Sequence, residues 1–359
     1  MLARSVTSVL IQAKGEGEMA ENRLAEPILR RLRYRKTIKD MRRFDDQYRP
    51  GQSAKGQEFY NLRSAMDLRP TAGREISHKA IRHTRGGVPT EDQARQSTFV
   101  AFDEIQACVD GLRRDGVYVF QQRVPEDMVA RMRESALAVD AEPRGLDVPP
   151  APYPRNAPQV GRYDINEDNT MASADMQDYC SDPALALIAA RYLEQPVIQD
   201  QTALWWTTPQ GGGDESLNAW LFHQDRDRAS FLKFFCYLTD VSPGHGPHTV
   251  VRGTHRSVPP MLSTDGRKDD DLVRTAGLWD KVIELTGTAG TFMAVDTVGL
   301  HKGTPPIDGD RCVLQVEFST SLFGAPVDYP VFTPSPLARE RYRQMPEILQ
   351  RWYRAITPE

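Results

Sequence analysis

Residues 220–225 read Trp-Leu-Phe-His-Gln-Asp, an apolar run that ends in a His-x-Asp pair. In a strand, residues two apart point to the same side, so His223 and Asp225 can reach one ion. A third candidate ligand, His301, lies in a glycine-flanked turn, and Arg311 follows ten residues later. Two histidines and one carboxylate can hold a mononuclear non-haem Fe(II) and leave positions open for a co-substrate and O2. The stretch therefore predicts a fold that brings a distant strand back beside it.

The chain around this motif is predicted to be mainly β, with helices packed outside. Short strands are predicted over residues 116–120, 197–206, 231–238, 287–296 and 311–319. Short strands separated by long insertions are typical of a barrel or a double-sheet jelly roll. Flanking helices are predicted over 101–114, from 125 onward, and over 183–194.

Three regions are predicted along the chain. Residues 1–98 form a basic N-terminal extension, helical over 21–48 and irregular over 49–98. Residues 99–335 form the jelly-roll domain, and residues 336–359 form a C-terminal helix packed on its core. The extension carries 20 Lys and Arg against 12 Asp and Glu. We interpret it as a solvated helical surface, with an anionic partner or a homodimer contact as the alternative.

The composition excludes several classes of protein. The apolar fraction of 40% and the charged fraction of 26% are typical of a globular protein. The net charge of −4 argues against a general nucleic-acid binder. No apolar run approaches the roughly 18–20 residues of a membrane span. The four cysteines are scattered without a CxxC, which predicts a reducing, cytoplasmic compartment and no disulfide framework.

The ordered set of motifs resembles the phytanoyl-CoA dioxygenase-like family of Fe(II)/2-oxoglutarate-dependent oxygenases. The matching stretches are residues 115–119, 222–225, 238–255 and 301–311. The resemblance covers roughly residues 99–325 and implies a double-stranded β-helix, a cupin-like jelly roll, with iron inside one mouth. The first 98 residues have no counterpart in the family.

Site roles follow from the resemblance, position by position. It implies that iron is bound by His223, Asp225 and His301, with 2-oxoglutarate and O2 as co-substrates. Arg311 would pair with the distal carboxylate of 2-oxoglutarate, since a guanidinium matches the two carboxylate oxygens. Halogenating relatives replace the carboxylate ligand with a small residue, so the presence of Asp225 favours hydroxylation.

Further contacts are predicted around the metal. Gln201 and Lys233 lie where relatives place secondary co-substrate contacts, with a sheet edge as the alternative position for Lys233. Candidate substrate contacts lie on the neighbouring strands and at the predicted pocket mouth, and they are Trp205, Tyr237, Asp227, Arg228 and Arg252. A solvated loop is the alternative for Asp227 and Arg228. Three further histidines are interpreted as structural rather than as a second metal site: His245, His248 and His255.

The sequence thus predicts an enzyme that hydroxylates an unactivated C–H bond of a small molecule, a natural product or a metabolite. Succinate and CO2 would be the co-products. Desaturation, epimerisation or cyclisation on the same scaffold is the first alternative. The second is a non-catalytic jelly-roll binding protein, and the third is a cupin that does not use 2-oxoglutarate.

Overall fold

Two antiparallel sheets form the body of the protein in a computed structural model that describes residues 29–49, 57–80, 85–209, 219–325 and 328–356. The strands, in chain order, are β1 (Val117–Val119), β2 (Asp140–Pro143), β3 (Ala151–Pro152), β4 (Arg162–Ile165), β5 (Ile198–Thr207), β6 (Phe231–Tyr237), β7 (His248–Val251), β8 (Val282–Leu285), β9 (Phe292–Val295), β10 (His301–Gly303) and β11 (Arg311–Ser319). The larger sheet has the order β1-β9-β6-β11-β5-β4-β2-β3, and the smaller sheet has the order β10-β7-β8.

Alternation along the strands separates two apolar cores. In β6, Leu232, Phe234 and Cys236 face one way, whereas Phe235 and Tyr237 face the other. The second face packs between the two sheets, where side chains of the larger sheet contact side chains from β7 and β8. The predicted two-residue pattern of this strand, and the mainly β class with flanking helices, are confirmed.

Helices cover the outer face of the larger sheet and the ends of the fold. The helices, in chain order, are α1 (residues 29–47), α2 (Gln57–Met66), α3 (Ala72–Ala80), α4 (Glu91–Ala94), α5 (Glu104–Asp115), α6 (Glu126–Ala138), α7 (Glu167–Thr170), α8 (Ala174–Cys180), α9 (Pro183–Leu193), α10 (Asp270–Thr275), α11 (Pro336–Gln344) and α12 (Tyr353–Ile356). Helix α9 begins where Asp182 caps the backbone N–H groups of Ala184 and Leu185, and Pro183 occupies its first turn.

The prediction of an irregular segment over residues 49–98 is wrong for its described part, which contains α2 and α3. Apolar side chains recur at helical spacing there, and Leu62, Ala65 and Ile76 are buried against Ala229 and Phe323. Glycine does not prevent the helix, since Gly73 lies inside α3, whereas Gly86, Gly87 and Pro89 follow it. Residues 1–28 of the predicted extension lie outside the described residues.

The predicted single C-terminal helix is also wrong, because it is divided into three short pieces. Helix α11 ends at Gln344, a 3-10 turn covers Gln350–Trp352, and α12 follows. Pro346 causes the break, since the residue before a proline is disfavoured in the helical conformation. The pieces still pack on the core, where Trp352 is fully buried.

Two compositional expectations can be compared with the structure. All four cysteines are buried and free, in agreement with the predicted absence of disulfides. Among the described helices, none combines the length and the apolar character needed to cross a membrane.

The described N-terminal helices pack directly on the loop that carries the His-x-Asp motif. Gly73 of α3 touches the carbonyl oxygen of Ala229, a close approach that a side chain at position 73 would block. Asp67, just after α2, forms an ion pair with the buried guanidinium of Arg226. This part of the extension therefore supports the motif.

Candidate metal centre

His223, Asp225 and His301 converge at one point inside the fold. Nε2 of His223 lies 3.7 Å from Oδ1 of Asp225, and Nε2 of His301 lies 3.5 Å from Oδ2 of the same carboxylate. Ligand atoms of the three residues all lie within 4.8 Å of one another. In the described part of the chain, no other group of His, Cys, Asp or Glu side chains converges in this way.

Backbone pairing places the two histidines side by side. His223 N donates to His301 O at 2.9 Å, and His301 N donates back to His223 O at 3.0 Å. Asp225 N donates to Thr297 O at 2.8 Å, so the motif is anchored at both ends. The motif forms isolated bridges instead of the regular strand that the sequence suggests, but residues 221–228 still alternate between half-buried and buried.

Hydrogen bonds to the backbone orient both imidazole rings. Nδ1 of His223 lies 2.9 Å from Leu221 O, and Nδ1 of His301 lies 3.0 Å from Gly299 O. A carbonyl oxygen can only accept, so each Nδ1 carries the proton and each Nε2 keeps its lone pair. Such a partner on the second nitrogen is the usual support for a metal-binding histidine.

The charges of the site suit a divalent cation. Burial and the neighbouring His301 lower the pKa of His223 to about 3, and burial also lowers the pKa of His301. Burial by itself raises the pKa of Asp225, but the charges of Lys233 and the two histidines bring it below its ordinary value. Metal ligands must be neutral histidines and ionised carboxylates, so this donor set fits a metal such as Fe(II).

Lys233 lies against the carboxylate of the triad. Its Nζ donates to Oδ2 of Asp225 at 2.7 Å and lies 3.3 Å from Oε2 of Glu317. Burial disfavours its charge, but Asp225 and Glu317 outweigh that effect and raise the pKa of Lys233. The predicted co-substrate role of Lys233 is not tested by these contacts, and its observed partner is a metal ligand.

Arg311 provides a buried guanidinium on the same inward face of the sheet. Its Nη2 lies 3.4 Å from Oγ1 of Thr207, whereas its Nε and Nη1 have no hydrogen-bond partner among the described residues. Burial lowers the pKa of Arg311, which records the cost of removing this charge from water. Two buried and unpaired N–H groups are costly unless a ligand accepts their hydrogen bonds.

Three candidate substrate contacts lie near this face. Trp205 is buried between the sheets, and its indole N–H has no partner among the described residues. Tyr237 is buried with its hydroxyl donating to Leu285 O at 2.7 Å, so its polar end is engaged in the fold. Asp227 is half-buried two residues beyond Asp225, whose charge reaches it.

Three other predicted contacts are not brought to the triad. Gln201 pairs in register with Glu317, but its side chain is exposed. Arg228 is buried and donates to Asp200 at 2.7 Å, so its guanidinium stabilises the fold instead of extending to the pocket mouth. Arg252 is exposed in an open groove with Arg114 and Lys281.

The structure brings four further residues to the site to which the sequence assigned no role there. The ring of His248 stacks on His301, with centroids 5.5 Å apart, although it was expected only to brace a turn. Arg162 comes from β4 and Arg267 from a loop, neither of which carries a motif, and Glu317 lies on β11, well beyond Arg311. The one sequence signal available was for Glu317, an acidic residue within the otherwise largely apolar strand β11.

Comparisons with known proteins agree with the motifs. The model of the family described as phytanoyl-CoA dioxygenase matches residues 112–305, more than half of the chain. Among curated proteins, none matches the chain significantly.

Solved structures that resemble this chain include EctD from S. alaskensis with 2-oxoglutarate and 5-hydroxyectoine, at 20% identity and a TM-score of 0.45, covering 65% of this chain and 83% of EctD. HygX from Streptomyces hygroscopicus, with nickel and 2-oxoglutarate bound, is 15% identical with a TM-score of 0.44, covering 61% of this chain and 88% of HygX. The epimerase SnoN, in complex with Fe3+, alpha ketoglutarate and nogalamycin RO, is 15% identical with a TM-score of 0.44, covering 63% of this chain and 96% of SnoN.

Proposed function

The chain belongs to the phytanoyl-CoA dioxygenase family of enzymes, and on that premise we propose that it is an Fe(II)- and 2-oxoglutarate-dependent dioxygenase. The reaction is hydroxylation of an unactivated C–H bond in a small molecule, with succinate and CO2 as co-products. One observation carries the proposal. A triad of two histidines and one carboxylate lies near Arg311, whose guanidinium approaches Gly303 on the His301 strand and whose Nε and Nη1 lack partners among the described residues.

His223, Asp225 and His301 would hold the iron. The carbonyl oxygens of Leu221 and Gly299 fix the ring orientations, which leaves both Nε2 atoms as ligands. When bound, ferrous iron would supply the activation of O2 that is coupled to oxidative decarboxylation of 2-oxoglutarate.

Arg311 would bind the distal carboxylate of 2-oxoglutarate. The planar guanidinium can present Nε and one terminal nitrogen to the two oxygens of a carboxylate. Thr207 occupies only its Nη2, so the remaining donors are available to such a ligand. The carboxylate would relieve the cost of an unpaired buried charge, and this accounts for a buried arginine on the inward face of the sheet.

The walls between the sheets would exclude water from the reacting atoms. Trp205, Phe235, Met293 and Val313 are all less than one-tenth exposed on the inward face. An apolar enclosure of this kind suits attack on an unactivated C–H bond, because it protects reactive species from side reactions with solvent.

A screen of small molecules with succinate detection tests the proposal directly. The purified protein is given Fe(II), ascorbate, O2 and 2-oxoglutarate, and each compound that increases succinate is analysed by mass spectrometry. Hydroxylation adds one oxygen to the product, whereas desaturation removes two hydrogens. In parallel, calorimetry should detect 2-oxoglutarate binding to the Ni(II)-loaded protein. The proposed function is wrong if 2-oxoglutarate does not bind.

A further inference from the structure

Arg267 lies beside the triad of His223, Asp225 and His301. The chain around His223 pairs with His301 on one side and with the segment of Arg267 on the other. Phe222 N donates to Lys268 O at 2.9 Å, and Lys268 N donates to Phe222 O at 2.8 Å, which is an antiparallel bridge. The next pair along this bridge is His223 and Arg267. Directly opposed residues of an antiparallel pair project to the same face, so Arg267 shares the face of His223.

Electrostatic effects agree with that placement. After burial, the charge of Arg267 is among the causes that lower the pKa values of His223 and His301. Burial lowers the pKa of Arg267 itself, and the largest opposing influence is the carboxylate of Asp225. The guanidinium is therefore within electrostatic range of all three residues of the triad.

Arg267 is exposed as a residue, although the surrounding protein partly desolvates its guanidinium, and it forms no ion pair or hydrogen bond with any residue that the structure describes. Its neighbours differ in this respect. Arg63 pairs with Asp265 at 2.7 Å, and Arg226 pairs with Asp67. A divalent ion at the triad would add positive charge beside Arg267 rather than offset it, so the free guanidinium is suited to an anion supplied by a ligand.

Further guanidinium groups continue the same side of the site toward Arg311. Arg144 and Arg162 both bond to Asp164, at 2.7 and 2.8 Å. Arg162 lies over the ring of Trp205, 4.4 Å from its centroid, and is in register with Thr207, the neighbour of Arg311. The charge of Arg144 also reaches Arg267. One side of the site is therefore cationic from its mouth to its base.

We infer that Arg267 binds an anionic group of the substrate, a carboxylate or a phosphate, at the mouth of the metal site. This inference rests on the proposed function and adds a substrate class to it. The anion of 2-oxoglutarate is assigned to Arg311, deeper in the fold, so Arg267 is left to a second organic anion. The acceptor substrate would be a small acid or phosphate ester that presents its C–H bond to the metal while Arg267 holds its charged end.

Binding of small anions tests this inference without turnover. The Ni(II)-loaded protein is saturated with 2-oxoglutarate, and its melting temperature is followed with added phosphate or acetate at constant ionic strength. A ligand that binds only the folded state raises the melting temperature. We expect a rise for the wild type, a loss of at least half of that rise for Arg267→Gln, and an unchanged rise for Arg256→Gln. Arg256 is a suitable control because it is also exposed and lies in a separate groove. The larger response, to phosphate or to acetate, identifies the anion.

The substrate screen supplies a second measurement. Carboxylate hits are compared with their carboxamides, and we expect the change to lower kcat/KM by about tenfold or more, which corresponds to one charge-assisted hydrogen bond. In Arg267→Gln that penalty should largely disappear.

The outcomes distinguish a failure of the proposed function from a failure of the role assigned to Arg267. If 2-oxoglutarate fails to bind the Ni(II)-loaded wild type, the proposed function is wrong. If 2-oxoglutarate binds equally to wild type and Arg267→Gln, and both show the same anion response and the same carboxamide penalty, only the role of Arg267 is overturned.

Discussion

Lys233 donates a hydrogen bond of 2.7 Å to Asp225, so a buried ammonium is paired with the carboxylate proposed as an iron ligand. The pair keeps Asp225 ionised in a site where burial alone would raise its pKa. Lys233 is therefore assigned a positioning role toward the metal site.

Replacing Lys233 should make metal binding depend on pH. In the wild type the pKa values of Asp225 and both histidines lie below their ordinary values, so Ni(II) affinity should change little between pH 5.5 and 7.5. In Lys233→Met the pKa of Asp225 should rise, and Ni(II) affinity at pH 5.5 should fall by about tenfold relative to pH 7.5. Calorimetric titration of Ni(II) at both pH values measures this. Lys233→Arg, which keeps the cation, should resemble the wild type, and a flat profile in Lys233→Met would contradict the assigned role.

Removal of any triad ligand should abolish metal binding and turnover together. We expect His223→Ala, Asp225→Ala and His301→Ala each to weaken Ni(II) binding by more than about 100-fold, because each variant would keep only two of the three protein ligands. The matched control is His245→Ala, because His245 caps a remote turn through Ser242. Full succinate production by any of the three triad variants would contradict the metal assignment.

Arg311→Ala should affect 2-oxoglutarate far more than the metal. Loss of charge-assisted hydrogen bonds worth about 1.5–3 kcal/mol predicts a rise in the 2-oxoglutarate dissociation constant of roughly 10- to 150-fold. Ni(II) affinity should stay near the wild-type value, which calorimetry can check on the same samples. Arg252→Ala is the control, because Arg252 is exposed in a separate groove. An unchanged dissociation constant in Arg311→Ala would place the carboxylate partner elsewhere.

The sequence predicted the parts of the site that lie on regular strands with strong patterns. Lys233 is buried in the middle of the larger sheet rather than at its edge, and the neighbouring tryptophans Trp205 and Trp206 face opposite cores, as consecutive strand residues do. It could not predict which inward polar groups meet. Lys233 lies opposite Glu317 because of the register between β6 and β11, and that register is set by long-range pairing.

Loop residues were even less predictable. Arg267 stands in a segment without periodicity, and only the bridge to Phe222 places it beside His223. Helices α2 and α3 were missed because glycine and proline nearby outweighed a helical pattern that tertiary burial stabilises, whereas the predicted helix over residues 21–48 corresponds to α1 in its described part. Their packing on Ala229 is a long-range contact that local signals do not contain.

The ion pair between Asp67 and Arg226 should stabilise the loop that carries His223 and Asp225. Arg226 directly follows Asp225 and is only 3% exposed, so Asp67→Ala would leave a buried charge without its ion-pair partner. Removing one partner of a buried pair costs about 3–5 kcal/mol, and the partial exposure of Asp67 favours the lower end. Urea unfolding measures the loss. The control is Asp265→Asn, which breaks the exposed pair with Arg63 and should cost less than about 1 kcal/mol. Equal losses in the two variants would contradict a supporting role for Asp67.

The titration of Glu317 should make the free energy of unfolding decrease as the pH rises. Burial and the neighbouring Asp200 raise its pKa to about 8, although Lys233 and Arg228 oppose the shift. The unfolded chain releases this proton near pH 4.3, so between about pH 4.3 and 8 the folded state holds a proton that the unfolded state lacks. The stabilisation from Glu317 is therefore complete below that window and lost as the pH rises through it. Glu317→Gln cannot titrate, and we expect its free energy of unfolding to vary less between pH 5 and 8 than that of the wild type. Urea unfolding at pH 5, 6.5 and 8 measures this, with the exposed Glu284→Gln as the control. If Glu317→Gln and wild type lose stability equally over this range, Glu317 is already ionised at pH 5, and the buried pair of Glu317 and Asp200 holds no proton on Glu317.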